Sequence, residues 1–470
     1  MPPPARHLRS SYRHIWQLSW PVMLSNISLP LVGAVDVAMM GHLNDPAYIG
    51  GVGLGMLVFN LLYFGFGFLR MGTTGFTARA RGEGNMPEVT SLLIRGLMLA
   101  ILCSTALIIL HPILIWLAAN MLDASPAVEG HMAHYISIRI WAIPAALCNI
   151  ALLGWLFGMQ SMRMGMVQLF IINLSNIGLN ILFVTSLELG VTGVALASVL
   201  AQWAGLIIML YFVFLRRRHY QLTSFQLSPR ALFTHPSWRA FMTVSRDLCL
   251  RTVMIWAVEA ILLGHAAKTG DLSLASMQIV LVIFGFIAFG LDGFAHAAEA
   301  LVGDRLGKRD FADMKYIIWR STLLAFYSSV LLSAVLFFCR LPILSMLTSQ
   351  PDLIGATTAI WIYVSVIPLV SFLAFQMDGV FVGATNSAEM RNGMAFALIS
   401  SLRRIICFPL QTLTPPLLPL FSILGQEVFT LQRDFLCYSR TGKDSRCQYL
   451  IMIMGLLQMS RHPVCYIFAL

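Results

Sequence analysis

Residues 20–43 read WPVMLSNISLPLVGAVDVAMMGHL. The stretch is almost wholly apolar and long enough to cross a hydrocarbon core of ~30 Å as a helix, which takes about 20 residues. It carries one acid, Asp36, and two prolines, Pro21 and Pro30. A carboxylate at the centre of a spanning helix is unfavourable by ~3 kcal/mol, so its presence calls for a reason beyond packing. The reading that follows is an all-α polytopic membrane protein with a working acid in its first helix.

Composition agrees with that class. The chain has 470 residues, 58% hydrophobic and 11% charged, where a soluble domain carries about 25% charged residues. The net charge of +10 sits in the gaps between apolar spans, with no basic helix face, so no nucleic-acid partner is expected. The eight cysteines are scattered without a Cys-x-x-Cys pair or metal-ligand spacing, and neither a disulfide framework nor a metal or cofactor site is expected. Arg6, Arg9 and Arg13 precede the first apolar stretch, which is too long for a secretory core and is read as a retained helix.

Spans are expected near 15–39, 49–77, 91–118, 134–159, 164–186, 190–214, 245–268, 273–303, 316–338 and 358–383, with an eleventh from about 390. Alternate loops hold the basic residues, among them Arg79, Arg81, Arg163, Arg216, Arg217, Arg218, Arg305, Lys308 and Arg309. The opposite loops hold Asp45, Asp123, Glu129, Glu188, Asp271 and Asp352. The positive-inside rule then makes the N-terminus cytoplasmic. The expected organisation is a six-helix bundle over 1–214, a cytoplasmic linker over 215–244, a second bundle over 245–401 and an irregular tail over 402–470.

The two bundles read as a duplication. Asp36 through His42 recurs as Glu259 through His265, 223 positions on, and Ile143-Pro144 recurs as Ile367-Pro368, 224 on. Gly154 and Gly158 recur as Gly379 and Gly383, 225 on. Six helices per repeat give both halves one orientation about an axis along the membrane normal, with a cavity between them. The duplication predicts a twelfth helix near 415–440. That region instead holds Pro415, Pro416 and Pro419, then Gln426, Glu427, Arg433 and Asp434. From about Ser401 the chain stops resembling its first half, as an altered reading frame, an irregular end or a divergent helix would make it.

These residues resemble the multidrug and toxic compound extrusion (MATE) family, and within it the DNA-damage-inducible DinF branch. The resemblance runs over about 10–400 and is carried by Pro21 to Leu43 around Asp36, Phe68 to Gly75, Leu291 to Glu299, Met377 to Ala384, and Met390-Arg391-Asn392. It implies about twelve helices in two pseudo-symmetric bundles, in a bacterial inner membrane. It further implies export of amphipathic, often cationic compounds against proton or sodium entry. Residue by residue, it makes Asp36 the cation-coupling acid and Pro30 the bend of the first helix. It places Asn176, Asn180 and Ser198 in the same ion-coupling site. Asn180 stands where the family pattern has an acid, so Asp36 is left as that site's one carboxylate.

Each candidate has a structural alternative. Asp36 is a proton carrier, since burial raises a carboxyl pKa, or a hydrogen-bonding helix residue. Asp292 and Glu299 share a helix face seven residues apart and, with Asp378, form a second cation or proton site in the C-terminal half. Their alternative is pairing with Arg70 or Arg251. Glu259 is a vestigial counterpart of Asp36 or an outer gate. Arg70 is an internal counter-charge or a structural clamp. His296 and Glu299 share an i, i+3 spacing, yet two ligands do not make a metal site. Gly51, Gly53 and Gly55 lack the strand a dinucleotide site requires and suit close helix packing.

The isolated intramembrane charges recognised at this level are mainly acidic, which favours cationic cargo over the pyrophosphate of a lipid-linked oligosaccharide, the rival transport reading. An intramembrane enzyme is a weaker rival. No His-Glu-x-x-His or Gly-x-Ser-x-Gly motif supports it.

Overall fold

The computed structural model describes residues 12–41, 46–122, 125–222 and 236–407. Among them the chain is helical, with no strand. The elements are α1 (Tyr12–Gly41), α2 (Pro46–Gly65), α3 (Gly67–Gly82), α4 (Met86–Leu122), α5 (Pro126–Arg139), α6 (Ile143–Gly158), α7 (Met162–Asn180) and α8 (Gly190–Leu215). There follow α9 (Pro236–Thr269), α10 (Asp271–Gly307), α11 (Phe311–Phe338), α12 (Arg340–Leu347), α13 (Pro351–Ala359), α14 (Trp361–Gly383) and α15 (Ser387–Cys407). Nine helices or continuous helix pairs among the described residues are long and apolar enough to cross a membrane. Their outward faces carry large apolar side chains such as Leu102, Ile109, Trp116 and Phe338, a surface made for lipid rather than water. The eleventh expected span is α15, which continues through Arg403 and Arg404 to Cys407. The expected twelfth helix and the irregular tail beyond it lie outside the described residues.

Prolines shape the spans unequally. Pro144 lacks the N–H that would continue the helical ladder, and the three residues before its helix, Ile140–Ala142, form a 3₁₀ turn between α5 and α6. Its repeat partner Pro368 is carried inside a continuous α14.

The chain divides into two compact units, Gln17–Cys249 and Leu250–Leu470 with Met1–Trp16. In the first unit α6 is the central helix, packed on α3 and α4. Trp155 is wholly buried there, and its indole N–H donates to the Val89 carbonyl at 3.0 Å. In the second unit α14 takes the same place, packed on α10 and α11. Trp361 at its start donates to the Leu336 carbonyl at 2.7 Å.

The duplication extends to individual contacts. A Cβ on Gly154 would run into the backbone of Arg70, and one on Gly158 would lie 2.8 Å from the Thr74 carbonyl oxygen. In the second unit a Cβ on Gly379 would run into the backbone of Ala295, and one on Gly383 into that of Glu299. Both members of both contacts are displaced by 225 residues. Small residues four apart let two backbones touch, which is how helices gain packing energy where lipid supplies no hydrophobic drive. The same offset relates two ion pairs. Arg79 and Glu83 lie 3.1 Å apart at the end of α3, and Asp304 and Lys308 lie 2.8 Å apart at the end of α10, with the charges exchanged.

Candidate functional site

The first unit holds a polar network at membrane depth. Asn149 on α6 donates to the carbonyl and side-chain oxygens of Gln202 on α8, at 2.9 and 3.0 Å. Gln168 on α7 donates to Asn149 Oδ1 at 2.9 Å. One turn further along α7, Asn173 donates to Ser28 Oγ of α1 at 2.6 Å. Beyond it Asn176 Nδ2 donates to Ser198 Oγ of α8 at 3.1 Å, and Asn180 Nδ2 donates to Asn176 Oδ1 at 3.1 Å. Asn176, Asn180 and Ser198 are all buried. The α-helix ends at Asn180, and residues Ile181–Ser186 wind as a π-helix, a geometry found most often as a local distortion near functional sites.

The Ser28–Asn173 bond fixes the register of α1 against α7. As first and fifth spans, the two helices run in the same direction. Asp36 lies eight residues beyond Ser28, and Asn180 lies seven beyond Asn173. At 1.5 Å per residue both rise about 11–12 Å, which brings the backbone at Asp36 to the depth of Asn180. Asp36 and Pro30 both lie within α1, and their side chains are outside the described residues.

Arg139 completes the network and was not among the residues singled out from the sequence. It closes α5, roughly 20 Å of helix from Pro126, deep in a span that runs from Pro126 to Gly158. One guanidinium nitrogen, Nη1, donates to Ser198 Oγ at 2.6 Å and to the Tyr135 hydroxyl at 2.5 Å. The guanidinium carbon stands 5.2 Å from the Phe59 ring centre and 5.5 Å from that of Tyr135, within cation–π range. The sequence signal was present: an arginine within reach of an apolar span. The sequence predicts this span over 134–159, with the polar His131 and His134 at its start, which sets Arg139 near an edge. The helix begins at Pro126, so the arginine lies well inside.

The second unit arranges its acids differently. Asp378 on α14 pairs with Arg251 on α9, Oδ1 to Nη2 at 2.7 Å, with side chains 24% and 12% exposed. Pairing was the structural alternative for Asp378, and Arg251 is a second deep cation. Glu299 on α10 is buried, with Oε2 3.7 Å from His296 Nδ1 one turn before it. Asp292 lies half-buried two turns earlier on the same helix. Glu259, the repeat partner of Asp36, is exposed on α9. Arg70 is half-buried on α3, where its carbonyl accepts the Thr74 hydroxyl at 2.8 Å. Within the first unit the structure therefore brings Asn176, Asn180 and Ser198 together and adds Arg139 to them. With Arg139 included, three arginines, Arg70, Arg139 and Arg251, accompany the acids. Among the described residues, no three His, Cys, Asp or Glu side chains gather as a metal site would require.

Known proteins match this chain along most of its length. The family model described as MatE matches residues 21–182 and 248–410. The DNA damage-inducible protein F of Escherichia coli (strain K12) is 32% identical over 403 residues, 86% of this chain and 87% of that protein. A probable multidrug resistance protein NorM of Neisseria meningitidis serogroup B is 24% identical over 364 residues, 75% of this chain and 77% of that one. Among solved structures, the outward-facing conformation of a multidrug resistance MATE family transporter superposes with a TM-score of 0.80. It is 18% identical, with 92% of this chain and 95% of that one covered. A transporter of the MOP superfamily from Pyrococcus furiosus, described as having a binding pocket of reverse polarity, superposes at 0.81 with 16% identity. The superposition covers 92% of this chain and 97% of that one.

Proposed function

Because the chain belongs to the MatE family of multidrug and toxin extrusion transporters, we propose that it is a secondary antiporter. It exports amphipathic, cationic compounds in exchange for protons, by alternating access between its two bundles. It lies in a bacterial inner membrane with its N-terminus in the cytoplasm, a reading that the basic loops support.

The observation that carries most weight is the network of Asn176, Asn180 and Ser198 at the depth of Asp36. Polar side chains buried between membrane helices are retained where an ion or substrate passes. In this reading a proton entering from outside neutralises Asp36. The loss of charge alters how α1 packs on α7 and favours the inward-facing state. Cargo then binds, the proton leaves to the cytoplasm, and the recharged acid favours the outward-facing state. A ligand shifts such an equilibrium only as far as it prefers one state, and the carboxyl supplies that preference through its charge. Asp292, Asp378 and Glu299 belong to the second bundle's share of the cargo path. Pro30 is the point at which α1 can bend, Arg70 acts as counter-charge, and Glu259 serves as an outer counterpart of Asp36.

Efflux of a cationic fluorescent dye from liposomes holding the purified protein tests this reading. An inward proton gradient should drive loss of dye, and an imposed sodium gradient alone should not. Dye retained under both gradients, with the protein folded and oriented, would reject cationic-drug export.

Arg139 and Arg251 favour a second reading, an anionic cargo such as the diphosphate of a lipid-linked sugar. Transfer of a labelled lipid head group across the liposome membrane separates the two.

A further inference from the structure

We propose that Arg139 is the residue that sets ion selectivity in the first bundle: it acts as a resident cation and excludes sodium and other alkali-metal ions from the Asn176–Asn180–Ser198 site. The inference rests on the antiporter reading above and deepens it by naming which residue chooses the ion.

A bare alkali-metal ion needs several oxygen ligands with free lone pairs. Three described side-chain oxygens of this site suit that role, Ser198 Oγ, Asn176 Oδ1 and Asn180 Oδ1. Ser198 Oγ accepts from Arg139 at 2.6 Å and from Asn176 at 3.1 Å, which uses both of its lone pairs. Asn176 Oδ1 accepts from Asn180 at 3.1 Å. The Asn180 position contributes an amide where an acid would have contributed a charge. A metal ion seated on Ser198 Oγ would also stand within ~5 Å of the guanidinium, since hard cations bind oxygen at about 2.3–2.6 Å. Repulsion at that separation, in a medium of effective dielectric about 20, weakens binding by about a hundredfold or more.

The arginine is held in place against this repulsion. Tyr135 accepts from it, Phe59 and Tyr135 face it with their rings, and Tyr63 lies beside it. A proton needs no ligand shell: it bonds covalently to one carboxylate oxygen. The fixed charge opposes a proton and a metal ion alike; what separates them is that Arg139 occupies Ser198 Oγ, which leaves the site short of the oxygens that a metal ion needs and a proton does not. Arginine suits the role because it stays charged at any physiological pH.

The test compares wild type with Arg139→Gln and with the double variant Arg139→Gln/Asn180→Asp, which removes the cation and restores an acid. Arg139→Met serves if the glutamine variant does not fold. The probe is sodium itself. Apparent Tm of purified protein is measured in sodium chloride and in choline chloride at equal ionic strength, since a bound ion raises Tm by mass action. Wild type should show no sodium-dependent shift. The single variant should gain one of about 2 °C or more, and the double variant a larger one. A sodium-dependent rise in wild type, or folded variants that show none, would overturn the inference. No cargo enters this measurement, so a wrong choice of cargo leaves it standing. Dye export driven by a proton gradient, combined with a sodium response in wild type, would overturn the role of Arg139 and leave the exporter reading intact.

Discussion

Replacing Gly379 by alanine adds a single methyl group at the tightest helix contact in the second unit. The new Cβ would lie 2.7 Å from the Ala295 carbonyl carbon and 2.9 Å from its Cα, with the carbonyl oxygen nearer still. Backbone cannot rotate away as a side chain can, so α10 and α14 must separate. Overpacking of this kind costs about 1–3 kcal/mol. Part is returned by alanine's better helix propensity, worth up to ~1 kcal/mol. With so close an approach to backbone putting the cost at the upper end, a net loss of about 2 kcal/mol remains. Gly290→Ala on α10 is the control, because nothing lies within 4 Å of its added Cβ. It should gain the propensity term alone. Intrinsic-fluorescence melting in one detergent should show Gly379→Ala falling by several degrees while Gly290→Ala holds or rises. Gly154→Ala, at the equivalent contact with Arg70, should fall as Gly379→Ala does. A Gly379→Ala protein that melts at or above the wild-type temperature would refute the claim that backbone contact at this glycine holds the unit together.

Two further outcomes follow from the ion pairs. Asp378→Asn leaves Arg251 with a neutral partner and should lower stability by about 1–2 kcal/mol, discounted for partial exposure. Adding Arg251→Gln should recover most of that loss, and a double-variant thermal-melting cycle measures the coupling. Arg95 is 2% exposed and bonded to Glu88 at 2.7 Å. Glu88→Gln should therefore cost about 2–3 kcal/mol and reduce the yield of folded, monodisperse protein in size-exclusion chromatography.

Much of this architecture was legible in the sequence, because lipid imposes a simple rule: about 20 apolar residues per crossing, with charge left in the gaps. The spans expected at 164–186 and 190–214 correspond to Met162–Ser186 and Gly190–Leu215. The glycines at 154, 158, 379 and 383 announced the duplication, and the structure gives the reason, which is the backbone each one touches. Asn176 and Ser198 were reached through family resemblance, and their mutual bond needed coordinates. What the sequence hid lies where polar residues begin or interrupt a helix. The early turns of α5 are too polar to read as membrane, which sets Arg139 nearer the surface in the sequence than it lies in the structure, whereas Arg251 was legible as a partner for the acids. Hydropathy also cannot show partners. Nothing in the order of residues says that Arg139 reaches Ser198, 59 positions away.

The central claim is that cargo leaves in exchange for a proton carried on Asp36. Liposomes loaded with a pH-sensitive dye, with transport protein in the membrane and cationic cargo inside, report the proton directly. Wild type should acidify the lumen as cargo departs, at a fixed ratio of protons to cargo. Asp36→Asn, with Arg139 and the asparagine network unchanged, should abolish both movements together. Cargo leaving the Asp36→Asn vesicles with the wild-type proton signal intact would contradict the account.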